Sequence, residues 1–547
     1  MHTARTFFVV LMIFICNIIV AQHIRFNWHT CLENQYLESG VLPVDIVSTG
    51  DGYLIVSDYD NPNFAIPPGM WQMDLWLTKI DLIGSVMWSK FICGTNNDSP
   101  VRIIPTSDSN YYILGGTASG DGDITFDPYP SANNFWVIKI DGNGNKIWDK
   151  VVGGNIWDIP SYATRSPDGG IVAIGQTQSS DGDVSIHFGY WDIWAIKIDS
   201  LGNIIWDCAI GSSGGEFSGG IINTTDGGYL ICGYGRNISS NGNIACIPHS
   251  SDSEALLVKI NDIGQIQWQM CYGGSDHDVF TNLLETIDGY IIFGSTSSSD
   301  GDLSGLNYHY GLDHLGNRTS DYWIMKTDFL GNIVWQKCFG GSDNEYSSRI
   351  IELSNKDIVL FGTTESMDGD IIGSHSIYQG FLYKDIWMLK LSSTGEYKGQ
   401  RCIGSRSDEH FKRGVLLIND STYVLTSQFF IGSNGDIECG SDPNIGGKFK
   451  LWVTQFTDSI LMSNIHEKPG LWFNIHPNPA ADYLFVEDQK STNGSLIICS
   501  FFGQKLEEFE IKYPKTLINL SHFENGLYLY IYKFGNRSTS GKLVIQR

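Results

Sequence analysis

The chain has 547 residues, with 60 acidic and 35 basic side chains and a net charge of −25. A surface of that sign repels phosphate backbones, so nucleic acid is excluded as a partner. Its 61 glycines, 16 tryptophans and 25 tyrosines suit many short strands joined by tight turns.

Residues 1–21 read as an export signal. His2 and Arg5 give a weakly positive start, and residues 7–20 are apolar but short for a membrane span. Ala21-Gln22 offers a small-residue cleavage point, whereas bulky Ile15 beside Cys16 makes a poor lipidation site. No later stretch is apolar enough to cross a membrane, so no transmembrane segment is expected in the mature chain.

Over residues 22–458 a unit of about 60 residues recurs seven times. Its mark is a tryptophan hairpin, DIWAIKIDSLGNIIW from Asp192. Related lines start at Asp74, Asn134 and Asp321, with weaker copies at Glu254, Asp385 and Lys450. In one unit, residues 220–224, 229–233, 255–260 and 265–270 carry strand signals, separated by Asp-Gly turns and one long loop. Four antiparallel strands in seven copies predict an all-β, seven-bladed β-propeller, because a single unit cannot bury its own apolar faces.

The ends of the repeat predict how the ring closes. FNWHTC near Trp28 copies a fourth strand, while the last unit stops at a third, LWVTQF. The strand at Trp28 should therefore pair with residues 451–456 and remove two exposed edges. Quinoprotein-type exported propellers use a similar G-x-x-x-W strand. That likeness is to architecture, and no quinone-binding residue carries over.

Cys31, Cys271, Cys338 and Cys402 fall at one repeat position, where other units place Phe91, Val151 and Ala209. A site that accepts those residues is a core site, so the cysteines are expected to be buried thiols rather than a disulfide framework.

Three groups are candidates for chemistry. Ten residues after the tryptophan position stands an acid in every unit: Glu38, Asp98, Asp158, Glu216, Asp278, Glu345 and Glu409. Sevenfold repetition points to architecture, each acid accepting backbone N–H groups from a neighbouring blade. The competing use is a cation site at the axial mouth. The second group is the D-G-D motif. Asp181, Asp183, Asp300 and Asp302 are its calcium candidates, although two carboxylates supply few of the oxygens calcium needs, and Asp-Gly is also a turn former. The third is the aromatic and histidine set in the long loops after D-G-D, chiefly Trp191, Tyr308, Tyr310, Tyr378, His309 and His314. Strand alternation puts these loops on one face, where exposed rings can bind a glycan or protein partner. No cofactor is called for, calcium being the one candidate.

Residues 459–472 read as a linker. Residues 473–547 carry Pro477-Asn478-Pro479, Gly503-Gln504, Gly526 with Tyr528, and Lys542-Leu543-Val544. On these marks the segment resembles the type IX secretion C-terminal sorting domain of Gram-negative Bacteroidota. His476 stands where that family often has Tyr. The resemblance implies a small β-sandwich recognised by the outer-membrane translocon, and a chain that is secreted or held at the outer surface.

There is no H-E-x-x-H or P-loop. The sequence therefore points first to an exported propeller that binds a glycan or protein partner. A polysaccharide hydrolase or lyase using loop-face carboxylates is the alternative, and a structural envelope component the third reading.

Overall fold

The middle strands of each repeat are near-continuous apolar runs, and the fold buries both of their faces. Leu54 and Val56 pack with Ile113, Trp136 and Ile138 of the next repeat. Their neighbours Tyr53 and Ile55 point the other way, towards Val424, Leu451 and Val453. Each blade is thus a slab with a core on either side, which explains why these strands lack the apolar–polar alternation of a half-exposed sheet.

The computed structural model describes residues 25–545. It leaves out 33–39, 61–72, 131, 251, 314, 376, 379–380, 406–407, 431–435, 437–448, 459–472, 477–479, 481, 489–493, 500–504, 513–514 and 535–536. The export signal, Glu38 and His314 lie outside the described residues. The chain divides into one unit of residues 25–457 and another that includes 458–547.

Among the described residues of 25–457 there are seven four-stranded antiparallel sheets. Blades 1 to 6 span residues 41–92, 98–152, 158–210, 215–272, 278–339 and 345–403. Blade 7 takes three strands from residues 415–457 and its fourth from Arg25–Leu32. That strand pairs antiparallel with Phe449–Thr457, Trp28 opposite Gln455 and Cys31 opposite Trp452. The ring closes as its incomplete ends predict.

The G-x-x-x-W hairpin has a physical reason that spans two blades. The turn glycines Gly84, Gly144, Gly264, Gly331 and Gly395 all have positive φ, between 73° and 89°. A Cβ on Gly144 would lie 2.5 Å from the Trp88 ring of the preceding blade, and one on Gly395 2.9 Å from Trp335. Glycine is required both for the conformation and for the neighbour's ring. In blade 6 the tryptophan position is Gly399, and blade 7 has no such turn to receive it, because its fourth strand comes from the N-terminus. The lysine of the same hairpin is buried or nearly so and pairs with the Asp of the D-G turn, as in Lys197–Asp168 at 2.7 Å and Lys259–Asp226 at 3.0 Å.

The first strand of each blade lies innermost. Arg413 of blade 7 donates to the carbonyls of Ser161 in blade 3 and Gly219 in blade 4, which is possible only across the ring axis. In blades 1 to 6 this strand carries a β-bulge at one place: Pro43/Asp45, Pro100/Arg102, Pro160/Tyr162, Ser218/Gly220, Phe280/Asn282 and Ser347/Arg349. A bulge adds one residue and re-aims the next side chain.

Two of the four cysteine expectations are corrected. Cys271 is bonded to Cys246, and Cys31 is also disulfide-bonded. Cys338 and Cys402 are buried thiols. The expectation considered only equivalent positions of neighbouring blades. Cys246 instead lies in the long loop of the same blade, which folds back over the fourth strand.

In the C-terminal unit a three-stranded sheet (Phe473–His476, Tyr483–Asp488, Lys515–Asn519) shares a core with a four-stranded one. Leu484 and Ile518 of the first meet Leu496, Ile498 and Leu543 of the second, which makes a small β-sandwich.

Candidate functional site

The six repeat acids among the described residues, Asp98, Asp158, Glu216, Asp278, Glu345 and Glu409, are fully buried at the head of the innermost strand. Each accepts the backbone N–H four residues before it, in the connector from the preceding blade. Gly154 donates to Asp158 at 2.7 Å, Ser212 to Glu216 at 2.8 Å, Gly274 to Asp278 at 2.7 Å and Gly341 to Glu345 at 2.9 Å. Gly94 donates likewise to Asp98, and Ser405 to Glu409. Hydroxyls of the second strand complete the cap, as in Thr296 and Ser298 on Asp278. In blade 1 the matching register position, counted from the bulge, is Val41 rather than Glu38. Burial raises these acids: Asp158 to about 6, Glu216 and Asp278 to about 7, and Glu345 to about 8.

The D-G-D aspartates serve the same connectors. Asp181 accepts from Asn155 N and Asp183 from Gly153 N, while Asp300 accepts from Ser275 N and Asp302 from Gly273 N. Among the described residues no group of three His, Cys, Asp or Glu side chains is arranged to hold a metal ion.

The loop residues divide into packed and exposed sets. The Tyr308 hydroxyl donates to the Thr319 carbonyl at 2.5 Å, which ties that ring to its own loop. His309 Nδ1 lies 3.1 Å from Asp321, and the pairing holds the imidazole above its usual range. His249 is paired with Glu254 at 2.7 Å, with the same consequence. The Trp191 carbonyl accepts the Glu216 N–H, and its ring meets Tyr190 edge-on at 6.2 Å. Tyr310 is 63 % exposed, with Arg318 over its ring. Tyr378 sits in the short strand Ile377–Tyr378, and its side chain is outside the described set.

The polar residues on the axis were not among the sequence candidates. Counted four residues from the acid position, the seven blades place Asp45, Arg102, Tyr162, Gly220, Asn282, Arg349 and Arg413 in one ring. Here the sevenfold pattern breaks. Arg102 and Arg413 lie over the Tyr162 ring, at 4.1 and 4.7 Å. Burial works to raise the Tyr162 hydroxyl, but the guanidiniums of Arg102, Arg349 and Arg413 outweigh it and hold it below its ordinary range. Arg413 is itself lowered, first by burial and also by the like charges beside it. Above this ring opens a cavity of about 400 Å³ whose wall includes Val44, Pro160, Thr281, Tyr346, Phe411 and Arg413. At the head of the innermost strand of blade 3 stands Trp157, 56 % exposed. The signal was in the chain: aligned copies read DSPVR, DIPSY, DVFTN and EYSSR, with an unlike polar residue fifth.

Several solved structures resemble the chain remotely. YCF48 bound to D1 peptide is 10 % identical, with a TM-score of 0.38, covering 79 % of this chain and 96 % of that one. The GH93 alpha-L-arabinofuranosidase of Fusarium graminearum with arabinobiose is 10 % identical at 0.37, covering 64 % and 91 %. Sqt1 from Chaetomium thermophilum is 9 % identical at 0.36, covering 80 % and 100 %. These likenesses carry no functional argument. No curated protein matches the chain significantly. Among the described residues no helix is long and apolar enough to cross a membrane. Residues 474–546 match the secretion system C-terminal sorting domain. The C-terminal segment therefore carries a type IX secretion sorting domain, which directs the chain to secretion or outer-surface attachment.

Proposed function

We propose that the chain is an exported propeller that binds a glycan or a protein partner at the mouth of its axis and does not cleave it. The observation that carries this reading is the axial ring, where an otherwise sevenfold pattern presents unlike polar groups beside a cavity whose wall Arg413 shares. Specific sites in closed symmetric scaffolds arise where the copies differ. The axial ring has one carboxylate, Asp45, whose oxygens accept the N–H groups of Ile46 and Ile103. Carboxylate-based glycoside cleavage needs two carboxyl groups flanking the bond. The repeat acids Asp158, Glu216, Asp278 and Glu345, whose pKa values are raised, are fully buried at the connectors. The sorting domain supports a surface role, since it leads the chain towards extracellular polymers and partners.

The test uses the secreted chain on a glycan array and a panel of surface proteins, with a reducing-end assay on every glycan retained. Retention without release of sugar is expected. Steady product release by the wild type, lost in Asp45→Asn, would overturn the reading in favour of a hydrolase.

A further inference from the structure

The axial charges do not balance. Three guanidiniums, from Arg102, Arg349 and Arg413, lie within electrostatic reach of Tyr162, and Asp45 is the single carboxylate of the ring. Arg413 spends N–H groups on the Ser161 and Gly219 carbonyls. Arg102 approaches Asp45 no closer than 3.6 Å. Its Nε and Nη1, the same two atoms of Arg349, and Asn282 Nδ2 are buried with no hydrogen-bond partner. Buried unpaired donors and uncompensated charge are both costly. A chain with 60 acids places only one of them here. Such a cluster is stable where an anion completes it.

We propose that the axial channel binds the anionic group of an acidic sugar, a carboxylate or sulfate held by Arg102, Arg349 and Asn282. This rests on the binding reading above and names its ligand class. Guanidinium forks match the paired oxygens of such groups. The adjoining cavity, whose wall includes Arg413 of the same ring and not these three side chains, adds what a sugar ring needs: hydroxyls from Ser161 and Thr281, the Tyr346 ring, and the apolar edge of Pro160. A volume of about 400 Å³ takes a single or terminal sugar and not a length of peptide. The chain's formal net charge of −25 opposes densely charged anionic polymers. It therefore selects a ligand with isolated charge.

The test is calorimetric titration and thermal melting of the full secreted chain with D-glucuronate, D-glucose, sodium sulfate and a glutamate-rich peptide. Glucuronate should bind and raise the melting temperature, and glucose should do neither. Arg349→Gln should weaken glucuronate by at least about tenfold. Alone it should melt higher than the wild type, because it removes a like charge beside Arg413. Asn282→Asp, which supplies an internal anion, should abolish glucuronate binding and also raise the melting temperature. Failure of both glucuronate and sulfate to bind, or equal glucuronate affinity in Arg349→Gln, overturns the inference. Peptide binding without glucuronate binding overturns the sugar assignment. Capture of a neutral glycan or a protein unchanged by Arg349→Gln sinks this inference and leaves the binding reading standing. Glucuronate binding accompanied by polymer cleavage sinks the binding reading instead.

Discussion

Replacing Gly144 by alanine tests whether the blades are locked by the contact between turn glycine and neighbouring tryptophan. Gly144 has φ +73°, and a Cβ there would meet Trp88 Cη2 at 2.5 Å and Leu77 Cδ2 at 3.2 Å. The left-handed conformation costs alanine about 1–2 kcal/mol. Forcing a methyl group into a packed contact adds about 1–3 kcal/mol. Gly169 supplies the control, since its φ is +92° and nothing lies within 4 Å of its Cβ. Gly169→Ala should therefore lose only the backbone contribution. Urea midpoints of the two variants, followed by tryptophan fluorescence, should differ by about 1–3 kcal/mol. Trp88→Ala should remove the difference, leaving Gly144→Ala no costlier than the control. Equal losses in the two single variants, or strict additivity with Trp88→Ala, would refute the inter-blade lock.

Stability should fall as pH rises from 5 to 8. The buried acids have folded pKa values raised above their unfolded ones, Glu345 to about 8, so their contribution is complete below about pH 4 and is lost as pH climbs through the folded value. A tenfold difference in proton affinity between the folded and unfolded chain is worth about 1.4 kcal/mol, and Glu345→Gln, which mimics the protonated acid, should flatten the slope of urea midpoint against pH. A rising slope, or no change in Glu345→Gln, would contradict the assignment. Cys246→Ser opens a loop of sequence separation 25 and should cost about 3 kcal/mol in denaturant melts, with a larger loss on reducing the wild type, which also breaks the Cys31 disulfide. Deleting residues 473–547 should leave a folded propeller stranded in the periplasm, as cell fractionation would show; normal surface display of the deletion would count against the sorting assignment. Tyr310→Ala should leave the stability within about 0.5 kcal/mol of wild type in the same melts, because the ring is largely exposed.

The blades were legible because their signals are local. The alternation of turn glycine, tryptophan and apolar run recurs within each unit, so strand number and offset closure could be counted from the chain. The sorting domain was legible for the same reason, through short marks such as Pro477-Asn478-Pro479. The buried acids were found as a repeat, and their local caps then followed from contacts only a few residues along the chain or in the same blade. Three features depended on tertiary structure. Cys246 reaches Cys271 because a long loop folds back, and no spacing rule encodes that path. Val41 takes the acid position of blade 1 because the bulge, not the distance from Trp28, sets the register. Above all, Arg102, Tyr162, Arg349 and Arg413 come from four different blades. They meet only when the ring closes and the bulges turn them towards a shared axis. Local pattern determined the units, and the juxtaposition of distant copies decided which side chains share a site.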